Sequence, residues 1–322
     1  MRTFDYARAR TPSDAIGSDA RIIAGGTNLL DLMKLQVEMP ERLIDINHVG
    51  LDCVERDGDG LRIGALVRNS DLAAHPAVRE GWPLLSRAIL AGASPQLRNR
   101  ATTGGNLMQR TRCYYFYDVD APCNKRVPGS GCGAIGGVNR IHAILGASDH
   151  CIATYPGDMA VALSALDAVV EVEGPGGRRE IKATDFHRLP GDSPDRDNEL
   201  QPGEMILSVR LPAPLGGRQI YRKVRDRRSY AFALVSVAAA VAMRAGRMDT
   251  VRLAFGGIAH KPWRVPAAEE MLTGQPPSPE LFDRAAGAVL EGARGQGHND
   301  FKIPLLRRTM AAVLAEAVQE TA

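Results

Sequence analysis

Between residues 108 and 152 the chain runs for about 45 residues with almost no apolar periodicity, and this tract restricts the possible folds more than any other feature. A structureless connection of that length is uncommon inside a compact domain unless something besides side-chain packing holds it. Its NKRVPGSGCGAIGGVNR stretch is built of Gly, Pro, Asn and Arg, with too few apolar side chains to offset the entropy of ordering the backbone. Four of the five cysteines cluster here: Cys113, Cys123, Cys132 and Cys151, separated by nine, eight and eighteen residues. Five cysteines in 322 residues is not the density of a disulfide scaffold. Four thiolates suit a tetrahedral zinc or an iron–sulfur cluster, either of which would replace the missing core. The spacing lacks the CxxC pairs of common zinc ribbons and differs from the compact ferredoxin run, so a cluster ranks first, with zinc, disulfides and free thiols left open. Cys53 stands apart and reads as a small apolar filler near a strand edge. Arg110, Arg112, Lys125, Arg126 and Arg140 would offset the negative charge of a thiolate-bound cluster, or else solubilise an exposed loop.

The rest of the chain is more regular. A small α/β unit spans Phe4 to about Asn47, with a helical start at Thr11, strands at Arg21 to Ala24 and Arg42 to Ile46, and a helix over Leu29 to Gln36. A second, larger α+β unit opens at the alternating LRIGALV from Leu61. It continues through helical stretches at Asn69 to Val78 and Ala88 to Ala93, then resumes after the cysteine tract with a helix at Met159 to Leu166 and a strand at Ala168 to Val172. Pro212, Pro214, Gly216 and Gly217 mark a linker. Beyond it, apolar runs at Phe232 to Met243 and Val251 to Ile258 predict a sheet. Helices follow at Ala267 to Leu272, Glu280 to Leu290 and Leu305 to Ala317. The expected division is 1–214, with parts at about 1–55 and 56–214 and an insertion at about 108–152, followed by a sheet-and-helix domain over 215–322.

Two glycine turns carry the first hint of chemistry. AGGTNLLDLMK places Gly25 and Gly26 where a strand yields to a helix, and ATTGGN places Gly104 and Gly105 in a similar turn. Bare backbone lets successive N–H groups converge on an anion, and the flanking Thr and Asn side chains add hydrogen bonds. Neither turn is a GxGxxG or Walker loop, and each alone is an ordinary strand-to-helix turn. Together they could clasp the diphosphate of a dinucleotide.

Forty Lys plus Arg against 37 Asp plus Glu gives a net charge of +3, too small to argue for nucleic acid. The denser run Arg222, Lys223, Arg225, Arg227, Arg228 is either a solvated surface or a local anion site. No stretch approaches the roughly 18 apolar residues of a membrane span, and MRTFDYARARTPSDA lacks the apolar core of a signal peptide.

In order, AGGTNLLDLMK, TTGGNL, YPGDMAVALSALDA and YRKVRDRRSYAFALVSVAA resemble the FAD-binding medium subunit of the molybdenum hydroxylase family over nearly the whole chain. QRTRCYYFYD, APCNKRVPGSGC and SDHCIATYPGDMA look most like the flavin subunit of periplasmic molybdenum aldehyde oxidoreductases, which carries an extra [4Fe-4S] cluster. A 4-hydroxybenzoyl-CoA reductase-like subunit matches the cysteine surroundings less well, and xanthine dehydrogenase-like subunits lack the insertion. The resemblance implies an α+β, two-part FAD-binding domain with a C-terminal domain of the CO dehydrogenase flavoprotein type. Ala24, Gly25, Gly26, Thr27, Asn28 and Leu29 would wrap the FAD diphosphate, and Thr102, Gly104, Gly105 and Asn106 would form a second clasp. Asp158 would lie near the flavin or its ribityl chain, with helix capping as the alternative, and Lys223 toward the adenosine half. Cys113, Cys123, Cys132 and Cys151 would each give one thiolate to [4Fe-4S]. Implied partners are a large subunit with the molybdenum cofactor, a small subunit with two [2Fe-2S] clusters and an external electron acceptor. The complex would reach the periplasm on a partner's signal, with a cytoplasmic location as the alternative. Two rivals are a free-standing flavin oxidase using His142, His150 or His187 as base, and a zinc-stabilised nucleic-acid-binding module.

Overall fold

The computed structural model describes residues 1–319. Its first unit is a parallel sheet in which β1 (Asp5–Arg8) and β2 (Arg21–Ile23) flank β3 (Arg42–Asp45). Parallel neighbours need a crossover, and α1 (Leu29–Lys34) supplies the one between β2 and β3, burying Leu32 and Met33. Ile44, Ile46 and Val49 form a small core that is completed by Leu66, Met205 and Leu207 from the next unit.

That next unit is a five-stranded antiparallel sheet in the order β4-β5-β8-β6-β7, built from β4 (Val54–Asp57), β5 (Gly60–Gly64), β6 (Val169–Gly174), β7 (Gly177–Lys182) and β8 (Met205–Leu211). Helices α2 (Asn69–Ala74), α3 (Pro76–Gly81) and α4 (Pro83–Ala91) follow β5. The single helix expected over Asn69 to Val78 breaks at His75, whose ψ of 127° is the extended conformation that a following proline imposes. Short helices α5 (Pro95–Arg98), α6 (Thr103–Leu107) and α7 (Tyr114–Tyr117) lead into the cysteine tract. All eight residues of α8 (Asp158–Ala165) are buried, and α9 (Ala183–Phe186) closes the connection after β7.

In the C-terminal unit β9 (Arg218–Val224), β10 (Val235–Arg244) and β11 (Arg247–Gly256) form an antiparallel sheet in the order β11-β10-β9, with α10 (Pro266–Leu272), α11 (Pro279–Val289) and α12 (Lys302–Ala317) following. Alternation explains the packing: Val235, Val237, Ala239 and Val241 join the helices' core, while Ala238 and Ala254 join the core of the middle unit. Both faces of β10 are thereby covered, which is why its sequence is apolar without interruption. The fold is α+β, as the motifs imply.

The cysteine tract is not a free loop. Cys113, Phe116, Cys123, Ala134, Cys151, Ile152 and Ala153 pack together with Leu32 of α1. Ile144 and Leu145 are buried in the C-terminal core instead, and their N–H groups donate to the Ile258 carbonyl at 2.9 and 3.1 Å. Cys53 is exposed, which overturns its reading as apolar filler. Among the described residues no helix is long and apolar enough to cross a membrane.

Candidate functional site

A cleft of two chambers, about 870 and 730 Å³, runs between the units, and both chambers are lined by Thr27, Asn28 and Gly105. A ligand with two bulky ends and a narrow, anionic middle suits that shape. The turn from β2 to α1 contributes Ala24, Gly25, Gly26 and Leu29 to the first chamber, opposite Thr102 and Gly104. Asn106, Asp158 and Lys223 line the second. All twelve residues singled out from the two turns and the two later motifs therefore line one or both of two adjoining chambers.

Glycine is required where the turns meet. Gly26 has φ of +74°, a left-handed conformation that costs most side chains, and a methyl at Gly25 would overlap the Arg100 carbonyl oxygen. The two turns are thus in direct backbone contact. Thr102 caps α6, its Oγ1 accepting from the Gly105 N–H at 3.2 Å. The Asn28 carboxamide is fixed by the Arg110 N–H donating to its Oδ1 at 2.9 Å, while its buried Nδ2 has no partner. Asn69 Oδ1 and Arg112 Nε are likewise buried without partners beside the second chamber. Unsatisfied groups of both kinds on cleft walls are what a bound polar cofactor would satisfy, so the residues present fit FAD.

Asp158 does not cap its helix. Gly157 holds the cap position, and the carboxylate accepts from Tyr221 Oη at 2.6 Å and from Lys223 Nζ at 2.8 Å. The resemblance assigned these two residues to opposite halves of FAD. Side chains of β9 reach the start of α8 and ion-pair the two, so both line the same chamber. In the basic run, Arg227 also lines that chamber, while Arg222 pairs with Glu316.

One wall of the first chamber is a charged network of Glu38, Arg110 and Asp197, extended by Lys125, that no motif signalled. Arg110 Nε donates to Asp197 at 2.7 Å and its Nη1 to Glu38 at 3.2 Å, and Lys125 Nζ donates to Asp197 at 2.6 Å and to the Pro194 carbonyl at 2.6 Å. Burial raises the Asp197 carboxyl, but Lys125 and Arg110 outweigh this and hold it below the ordinary carboxylate range. The Arg110 guanidinium also stacks 4.7 Å from the Phe116 ring centre, inside the cysteine pocket. Arg126 donates to the carbonyls of Tyr115 and Phe116 at 2.8 and 2.9 Å. Of the five cations near the cysteines, Arg140 is the exposed one, paired with Asp226 and lying 4.6 Å from the centre of the Phe301 ring.

The four cysteines share one apolar pocket, and none is in a disulfide. The Phe116 and Ile135 N–H groups donate to the Cys113 and Cys132 backbone carbonyls, both at 3.2 Å, and nearby amides of residues 115–116, 134–135 and 152–153 favour the thiolate forms of Cys113, Cys132 and Cys151. Such donors stabilise thiolates bound to metal. Burial pushes the Cys113 thiol up to about 11, whereas the contact between Cys151 and Cys132 lowers Cys132 and raises Cys151. Among the described residues, no three His, Cys, Asp or Glu side chains are gathered tightly enough to hold a metal ion. A mononuclear zinc site is therefore not preformed.

Burial lowers His142 and His187 to about 4, and none of His142, His150 and His187 lines either chamber. Nothing in the cleft therefore supports a histidine base of a free-standing oxidase.

Residues 3–214 match the family described as the FAD binding domain in molybdopterin dehydrogenase, and 219–322 match the CO dehydrogenase flavoprotein C-terminal domain. The chain is 55% identical to the aldehyde oxidoreductase FAD-binding subunit PaoB of Escherichia coli, covering 98% of this chain and 99% of that protein. It is 27% identical to the glyceraldehyde dehydrogenase medium chain of Sulfolobus acidocaldarius, covering 89% and 86%. A solved carbon monoxide dehydrogenase from Hydrogenophaga pseudoflava superposes with a TM-score of 0.76 at 26% identity, covering 98% of this chain and 97% of that one. With both halves matched in order and the cleft built from the motif residues, the chain belongs to the FAD-binding medium subunits of the molybdenum hydroxylase family, oxidoreductase subunits whose catalytic centre lies on a partner chain.

Proposed function

We propose that this chain is the FAD and [4Fe-4S] electron-transfer subunit of a molybdenum-dependent aldehyde oxidoreductase. In this reading it receives electrons from two [2Fe-2S] clusters on a small partner subunit, while a large subunit holds the molybdenum cofactor and oxidises the aldehyde. An external acceptor takes the electrons away. When bound, the flavin supplies exchange between one- and two-electron carriers. The protein's part is to grip the diphosphate between the two glycine turns, orient the ring system in one chamber and offer buried donors such as Asn28 Nδ2. The strongest support for the second centre is that four free cysteines from one weakly apolar tract gather in a single pocket with Phe116, Ile152 and Leu32. The similarity to PaoB supports the aldehyde assignment.

Absorption spectroscopy with iron and sulfide analysis tests this. The expected result is flavin bands over a broad iron–sulfur shoulder, with about four irons per chain. Cys123→Ser is expected to lose the iron while keeping FAD. Flavin without iron or sulfide in anaerobically prepared protein would refute the second centre. We also place the assembly in the periplasm, exported with a partner. Recovery of the complex only in the cytoplasmic fraction would refute that.

A further inference from the structure

The reading of the four cysteines as a cluster site leaves two buried residues unexplained, His142 and Lys302. His142 is 1% exposed, and its Nε2 lies 3.1 Å from Cys113 Sγ. A thiolate ligand has no proton to donate, so the contact is favourable only when Nε2 carries the hydrogen. Cys113 then receives a side-chain donor. Lys302, the first residue of α12, is 0% exposed and donates to the carbonyl of His142 at 2.9 Å and that of Gly257 at 2.8 Å. Among the described residues it has no carboxylate partner in any ion pair. Asn299 adds bonds to the carbonyls of His142 and Ala143 at 3.1 and 3.0 Å. A cation sealed in the interior without a counter-ion is costly. Burial accordingly pulls Lys302 down to about 7. The group of opposite charge that would favour it is the thiolate-bound cluster reached through His142.

We propose that the C-terminal domain tunes the four-cysteine centre, with Lys302 as its buried cation and His142, held by Lys302, as an N–H donor to the Cys113 thiolate. This rests on the cluster reading given above. One-electron reduction adds one negative charge to the centre, and both the N–H donor and the cation favour the more negative state. Both residues therefore raise the reduction potential. They are positioning residues: neither ligates iron. Lys302 fixes the His142 backbone as well as contributing charge, so the C-terminal domain is a working part of the centre rather than only a cover for the cleft.

The test is an EPR-monitored redox titration of the intact complex carrying His142→Phe, His142→Gln or Lys302→Met. His142→Phe keeps the ring and removes the donor. At fixed ambient potential it is expected to shift the cluster's reduced-to-oxidised ratio about tenfold toward oxidised, a fall of about 59 mV for one electron. Lys302→Met should shift it in the same direction, and His142→Gln, which keeps an N–H, should recover part of the change. The flavin and [2Fe-2S] potentials should stay where they are. Iron-replete variants with an unmoved or raised cluster potential would overturn the inference. Loss of the cluster from both His142→Phe and Lys302→Met with FAD retained would also overturn it, since the pair would then be a structural brace. Wild-type complex without iron and sulfide in this subunit would instead sink the cluster reading, and this inference with it.

Discussion

Replacing Asp197 with Asn tests the network that joins the nucleotide chamber to the cysteine pocket. The substitution keeps the side chain's size and removes the charge shared by Lys125 and Arg110. Arg110 retains Glu38, but Lys125 is 1% exposed and keeps only the Pro194 carbonyl. Most of the penalty therefore falls on Lys125, and removing one partner of a buried pair costs about 3–5 kcal/mol. Asp197 itself is 22% exposed, which argues for the lower end of that range. With a urea m-value of roughly 3 kcal/mol/M, the unfolding midpoint should fall by about 1 M. Lys125→Met combined with Asp197→Asn should recover most of the loss, because the orphaned charge is then gone. The acid limb carries a second signature. The folded state holds the Asp197 carboxyl below its ordinary value, so its stabilisation is present above the unfolded pKa of about 3.9 and is lost as pH falls through the lower folded value. The wild type should therefore lose stability below about pH 4 more steeply than the Asn variant. A single-variant loss under about 1 kcal/mol, the size of a surface pair, would refute the reasoning. So would a double variant no better than the single.

Three further outcomes follow from the same structure. Gly25→Ala should purify with less than a tenth of the wild-type flavin absorbance, because the methyl would drive the two glycine turns apart at Arg100. Wild-type flavin content would show that the turns need not touch. Asp158→Asn leaves the nearly sealed Lys223 without its carboxylate and should destabilise the protein by about 3 kcal/mol, read from denaturant unfolding of the complex. Arg140→Ala removes an exposed pair with Asp226 and a stacking contact over the Phe301 ring, and should change unfolding by about 1 kcal/mol. A loss above about 2 kcal/mol would mean that these two exposed contacts do not account for its role.

How much of this was legible beforehand depends on whether a residue acts through local or distant neighbours. The turns at Gly25 and Gly104, the α8 helix and the runs that became β10 and β11 announce themselves because their signals are complete within about ten residues. β8 and β9 did not. MILSVRL follows an irregular stretch and is too short for periodicity to separate strand from helix, and RQIYRKV reads as a charge run although Ile220 and Tyr221 point into different cores. Asp197, Arg110 and Lys125 could not be grouped at all, since they are brought together from positions up to 87 residues apart. Nor could the sequence show that Lys223 meets Asp158, because the two lie 65 residues apart and are joined by a long side chain reaching from β9 to the start of α8.

The two candidate cofactor sites are not independent modules set side by side. Asn28 stands in the cleft and accepts from the backbone of Arg110; the same arginine holds Asp197, which holds Lys125, and stacks on Phe116 among the cysteines. Leu32 of α1, one turn after the first glycine pair, packs into the cysteine pocket. A ligand that orders Asn28 and α1 therefore orders one wall of the cysteine pocket, and a centre that draws the four sulfurs together tightens one wall of the cleft. Linkage requires the coupling to be mutual in free energy. Removing iron should weaken FAD retention by the same factor by which removing FAD weakens iron retention. Equal FAD affinity in iron-loaded and iron-free protein would show that the shared wall transmits nothing.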